Sequence, residues 1–233
     1  MSFVFPPQPV PSVAVHGEEA RFPVRRIFCV GRNYAAHVRE MGKDPDREAP
    51  FFFTKPADAV VASGATIPYP PLTKNLHHEA ELVVAIGREG FQIAEADALG
   101  HVFGYAAGND LTRRDLQAEA KEAGRPWDWA KAFDNSAVCG TIRRVAETGH
   151  LSAGRIRLEV NGAARQDADL AEMIWTVPEI VSILSHSVRI MPGDLVFTGT
   201  PAGVGPLVPG DACTVAIEGL DPISFSIGER AGA

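Results

Sequence analysis

Cysteine, excess basic charge and long apolar runs are all scarce in this chain of 233 residues. Cys29, Cys139 and Cys213 are odd in number and far apart. That excludes a disulfide-stapled scaffold and fits buried free thiols in a reducing compartment, so the cytoplasm is the expected location. No stretch approaches the ~20 apolar residues of a membrane helix, so no membrane partner is expected. The formal net charge of −7 argues against nucleic acid, because phosphate binding needs a basic face. An anionic small molecule would have to be held by local cations against the overall field. The N-terminal stretch lacks a basic start, an apolar core and a small-residue cleavage site, and is not expected to be a secretory signal. Pro6, Pro7, Pro9 and Pro11 make it an extended arm, residues 1–24. With 45% hydrophobic and 22% charged residues and no compositional break, the remainder, 25–229, reads as one globular domain.

Glu79 and Glu81 stand at the head of an apolar run, Leu82 to Ile86, that reads as a buried strand. Carboxylates two apart on a strand share a face, their Cα atoms roughly 6.6 Å apart. Left unpaired they repel, and a divalent cation between them resolves the conflict; carboxylate oxygens suit Mg²⁺, Ca²⁺ or Mn²⁺ better than Zn²⁺. The alternative is a solvated strand end. A second apolar, small-residue strand from Val102 runs directly into Asp110, either a third oxygen ligand or a helix cap. Thr112 with Asp115 reads as a helix start, Arg113 to Ala123 as the helix, and Gly124 as its end. His77 and His78 raise zinc, but adjacent strand residues face opposite ways and cannot readily join Glu79 at one ion.

Elsewhere the pattern predicts a strand over Arg26 to Val30, a short helix over Tyr34 to Met41, and a polar, turn-rich candidate flap from Gly42 to Glu48. Arg155 to Val160 enters a type I′ hairpin at Asn161-Gly162. Thr176, Pro178 and Glu179 open a helix with apolar face Ile180, Val181, Ile183 and Leu184. Strands at Leu195 to Thr198, Ala212 to Glu218 and Ile223 to Ile227 close the chain. Strands outnumber helices without a βαβ rhythm, which implies a mixed, mostly β fold with a few short helices.

Other groups have two readings each. His37 and Glu40 share a helix face, as a surface ion pair or as a base and its orienting carboxylate. Lys131, between Trp129 and Phe133, either snorkels outward or faces a cavity to hold an anion. Arg32 grips a carboxylate or pairs with Asp46 or Glu48. Gly199, Thr200 and Gly203 form a tight loop in which backbone N–H groups can approach an anionic carboxylate. Lys55 follows an apolar strand, placed to support the acids from behind.

Five blocks in order, Cys29 to His37, His77 to Leu82, Asp110 to Gln117, Trp129 to Asp134 and Phe197 to Gly205, resemble the fumarylacetoacetate hydrolase family. The resemblance spans roughly residues 25 to 228, and Phe51 to Asp58 with the Pro-rich arm is most similar to its fumarylpyruvate hydrolase subtype. It implies a rolled β-sandwich, a homodimer, and Mg²⁺ or Mn²⁺ on Glu79, Glu81 and Asp110. It implies His37 and Glu40 as the water-activating dyad, Lys131 stabilising negative charge, and Gln117 bonded to a 2-oxo acid substrate. The implied reaction is hydrolytic cleavage of a carbon–carbon bond in an acylpyruvate, fumarylpyruvate first among them. Oxaloacetate decarboxylation and isomerisation of a 2-oxo diacid are the enzymatic alternatives; a metal–carboxylate binding protein is the non-enzymatic one.

Overall fold

The computed structural model describes residues 2–40 and 49–230; the candidate flap at 42–48 lies outside them. Strand dominates, and the helices are short. The largest sheet runs, edge to edge, through Phe51–Lys55, Arg26–Gly31, Asp194–Phe197, Ala80–Ile86, Val102–Asp110, Ala137–Cys139 and Val60–Ala62, with Arg143–Arg144 paired to the long Val102–Asp110 strand. Its two edge strands are joined through residues 56–59, a single 3₁₀ turn at Ala57–Ala59. So short a link between opposite edges obliges the sheet to curl round on itself, although the two edge strands do not pair with each other.

That curl has an inside and an outside, and residue parity sorts side chains between them. Val83, Ala85, Ala106, Ile27, Cys29, Leu195 and Phe197 fill the inside. The hairpin Ser12–Ala14 with Arg21–Pro23 packs Val13, Val15, Phe22 and Val24 into the same cluster. Leu82, Val84, Ile86, Tyr105 and Ala107 face outward onto a five-stranded sheet, Ala163–Asp169, Arg155–Val160, Ala212–Ile217, Ile223–Arg230 and Thr66–Tyr69. This explains why Ala80–Ile86 is buried along its whole length and reads as an unbroken apolar run rather than an alternating one. The architecture is thus the mostly β, rolled sandwich expected from the sequence.

Local signals explain several elements. Asn161 (φ 51°) and Gly162 (φ 76°) both take positive φ, as a type I′ turn requires, and join Arg155–Val160 to Ala163–Asp169. Thr176 and Glu179 form a reciprocal capping box for the helix Val177–Ser187, which carries Pro178 in its first turn. One cap differs from expectation. The helix Arg114–Glu122 has Arg113 at its N-cap with no side-chain capping bond, and Thr112 lies in the short strand Thr112–Arg113. Asp115 instead accepts from the Thr73 hydroxyl and the Lys74 N–H, so a distant loop claims the carboxylate that local spacing gave to the cap.

Candidate active site

Strand register brings the acids together. Ala80 pairs with Asn109 and Glu81 with Gly108, so the head of one strand lies against the tail of its antiparallel neighbour. The Asp110 N–H donates to the Glu79 carbonyl at 2.9 Å, locking the two ends. Glu79, Glu81 and Asp110 are all buried, and one carboxylate oxygen from each lies within 4.8 Å of the others.

These acids are interleaved with cations. Lys131 Nζ donates to Glu79 Oε2 and Asp110 Oδ2, both at 2.7 Å. Arg114 donates to Glu79 Oε1, and its second arm reaches Gln117 Oε1 at 2.5 Å. Lys55 Nζ lies 2.7 Å from Asp110 Oδ1, outside hydrogen-bonding geometry, and donates to the carbonyls of Leu111 and Lys131. Lys55 thus crosses the interior of the curl from the edge strand to the opposite wall. Lys131 packs over Phe53, 4.9 Å from the ring centre, while Trp129 is 70% exposed; its aromatic neighbour is not the one its sequence position suggested.

Charge balance singles out Glu81. Burial alone would raise the Glu79 carboxyl, but Lys131 and Arg114 outweigh it and hold Glu79 below the usual carboxylate range. Burial, then the charges of Asp110 and Glu79, push Glu81 well above that range. Among the described residues Glu81 makes no ion pair; its Oε2 accepts the Gly199 N–H at 2.7 Å. A divalent cation among the three carboxylates would supply the missing positive charge. The all-oxygen donor set fits Mg²⁺ or Mn²⁺, and no histidine belongs to it. His78 is instead buried against Gln166, and burial followed by Arg114 lowers the His77 pKa to about 4.

The loop after Asp194–Phe197 is held by two amides. Gln166 donates to Thr200 Oγ1 and the Pro201 carbonyl, both at 2.8 Å, while its oxygen accepts the Ala80 N–H. Asn33, fully buried, donates to the carbonyls of Trp175 and Thr198 and accepts the Trp175 N–H. Gly199 has φ 95°, and a Cβ there would meet Asn33 Cβ at 2.7 Å, so only glycine fits. The Gly199 N–H that the sequence directs at a substrate carboxylate is directed at Glu81.

A cavity of about 40 Å³ lies over the acids, lined by Arg32, His37, Glu79, Glu81, Arg114, Gln117, Lys131 and Thr200 among others. It has room for an ion and a few small ligands. His37 is buried on the helix Ala35–Glu40; the side chain of Glu40 lies outside the described residues, as do Asp46 and Glu48. Arg32 stacks over Phe51 at 5.3 Å. Arg32, Phe53, Lys121, Trp127 and Lys131 also line an outer chamber of about 580 Å³. Sequence reasoning missed Arg114 and Lys121 as wall residues, although Arg114, Gln117 and Lys121 recur at i, i+3 and i+7 on one helix face.

A family model, fumarylacetoacetate hydrolase C-terminal, matches residues 26–227. The fumarylpyruvate hydrolase of a Ralstonia species is 46% identical over 191 residues, covering 81% of this chain and 98% of its own. The crystal structure of fumarylpyruvate hydrolase from Pseudomonas aeruginosa with Mn²⁺ and pyruvate superposes with a TM-score of 0.96 at 50% identity, covering 98% of this chain and all (100%) of that one. Mitochondrial oxaloacetate tautomerase of Mus musculus is 40% identical over 203 residues, covering 87% of this chain and 91% of its own. With an acidic cluster buried beneath an open chamber, and matches along nearly its whole length, the chain belongs to the fumarylacetoacetate hydrolase family and is an enzyme of that family.

Proposed function

We propose that this protein hydrolyses the carbon–carbon bond of an acylpyruvate, converting fumarylpyruvate to fumarate and pyruvate. The observation that carries the reading is the placement of His37 and Lys131 in the same small cavity as Glu79 and Glu81, two of the three clustered acids. That the Pseudomonas relative was crystallised with Mn²⁺ and pyruvate supports a divalent metal and a 2-oxo acid as ligands of this protein.

In this reading Glu79, Glu81 and Asp110 hold Mg²⁺ or Mn²⁺, with Gly199 fixing the Glu81 carboxylate and Lys55 supporting Asp110 from behind. The ion supplies Lewis-acid polarisation of the 2-oxo acid oxygens and offsets the charge that develops there. Arg32, Arg114, Gln117 and Thr200 orient the substrate's polar head. His37, oriented by Glu40, takes a proton from water, whose oxygen bonds to the carbonyl carbon two positions beyond the 2-oxo group. The bond from that carbon to the pyruvyl methylene breaks, and its electron pair passes into the enolate of pyruvate. Lys131 places positive charge beside the enolate oxygen, where it counts most in a buried site. A proton returned to the methylene completes pyruvate, and the acyl fragment leaves as fumarate. The homodimer implied by the family resemblance and the cytoplasmic location expected from the unpaired cysteines belong to this proposal.

Oxaloacetate tautomerisation is a second reading, favoured by the 40% identity to the mouse enzyme; it uses the same chelating head but no attacking water. Following enol absorbance with Mn²⁺ present separates the two. Loss of fumarylpyruvate absorbance with equimolar fumarate and pyruvate supports hydrolysis. Equilibration of oxaloacetate enol, with fumarylpyruvate untouched, supports the tautomerase.

A further inference from the structure

The cavity over the acids is too small for a whole acylpyruvate, so the acyl tail must extend into the outer chamber. The walls of that chamber are unusual for so acidic a protein. Arg32, Lys121, Arg125 and Lys131 line it against a single acid, Asp128. Lys131 is engaged by Glu79 and Asp110, and Arg32 and Lys121 also line the inner cavity, so Arg125 is the cation that belongs to the outer chamber alone. It makes no ion pair among the described residues, and neither does Asp128.

Backbone geometry sets Arg125 there. The helix Arg114–Glu122 carries Arg114 and Gln117 at the acids and Lys121 two turns further on, ~10 Å along the axis. Gly124 then takes φ 61°, and the Arg125 N–H donates back to the Ala120 carbonyl at 2.7 Å. This turn ends the helix and places Arg125 in the chamber wall. Trp127 packs edge-on against Phe51, ring centres 5.1 Å apart, and against Phe53 at 5.8 Å, so the same chamber has flat aromatic walls. A planar, unsaturated tail suits those walls, and a terminal anion suits the cations beyond them.

We infer that the outer chamber is a subsite for a terminal carboxylate on the acyl tail, and that Arg125 selects tails carrying one. This rests on the acylpyruvate reading and adds a specificity residue to it. A guanidinium–carboxylate contact is a charge-assisted hydrogen bond with bidentate geometry available, and at a solvated rim about a tenfold preference is expected from it.

The test measures kcat/KM for fumarylpyruvate and for acetylpyruvate, which lacks the tail carboxylate, using Mn²⁺-loaded parent, Arg125→Gln and Arg125→Lys proteins. Arg125 is exposed beyond a helix end, so folding tolerates both changes. The expected result is a fall of about tenfold in the fumarylpyruvate-to-acetylpyruvate ratio in Arg125→Gln, partly recovered in Arg125→Lys. An unchanged ratio overturns the inference while leaving the hydrolase reading intact. If the parent cleaves neither compound, the hydrolase reading fails, and calorimetry with fumarate and fumaramate then decides the subsite. Tighter fumarate binding that is lost in Arg125→Gln supports it, and equal binding of the two compounds rejects it.

Discussion

Replacing Lys131 with methionine separates a structural ion-pair cluster from a metal site. The ammonium donates to two buried carboxylates at 2.7 Å, and methionine keeps its length but not its charge. Removing one partner from a buried charged pair costs about 3–5 kcal/mol. At about 2–4 °C per kcal/mol for a chain of this size, the metal-free variant should melt roughly 10 °C below the parent. Mn²⁺ should reverse part of that loss, because the ion and the ammonium compete for the same oxygens. A like charge ~4 Å away is worth up to about 4 kcal/mol at an effective dielectric constant of 20, so recovering even a quarter of it tightens Mn²⁺ binding about fivefold. Melting curves at saturating Mn²⁺ should therefore show a larger stabilisation in Lys131→Met than in the parent, while turnover falls by two orders of magnitude or more. An equal or smaller Mn²⁺ shift in the variant would refute the reasoning, since the lysine would then be no competitor for the ion.

Three further outcomes are expected. His37→Ala should lose roughly 10²-fold or more in fumarylpyruvate turnover with Mn²⁺ affinity unchanged by calorimetry; parent-like turnover would remove His37 as the base. Asn33→Ala strands the Trp175 N–H and two backbone carbonyls in a buried setting, and should lower stability by about 3 kcal/mol or more in urea titrations; a loss under 1 kcal/mol would mean the loop is held without it. Burial would raise the Asp115 carboxyl, but the Lys74 N–H, the Thr73 hydroxyl and the Leu116 N–H outweigh it, so its folded pKa lies below the unfolded value. The stability this contributes is present above about pH 4 and is lost as pH falls through the folded pKa. The urea-midpoint gap between parent and Asp115→Asn should accordingly narrow below pH 4, and a pH-independent gap would count against it.

What was legible in the sequence follows the range of the interactions. The meeting of Glu79, Glu81 and Asp110 was readable because each sits at the end of a strand whose apolar run is local, and antiparallel pairing does the rest. The Asn161-Gly162 turn and the Thr176–Glu179 box were readable for the same reason, since every partner lies within three residues. The electrostatic setting was not. Gly199 reaches Glu81 across 118 residues, and Lys131 reaches Glu79 across 52, so no spacing rule connects them. Asp115 illustrates the converse: a good local cap signal was overridden by a loop 41 residues earlier, whose N–H and hydroxyl offered the carboxylate more bonds than the helix end did. The curl of the sheet was also hidden, because nothing in the Pro56–Ala59 segment announces that it joins opposite edges.

Cleavage of fumarylpyruvate in ¹⁸O-enriched water, with Mn²⁺ present and the fumarate analysed by mass spectrometry, tests the central claim most directly. Attack of water on the carbonyl beyond the 2-oxo group places one solvent oxygen in the newly formed carboxylate of fumarate, in every turnover. Fumarate released without label, or consumption of the enol with no fumarate formed, would contradict hydrolysis at this site.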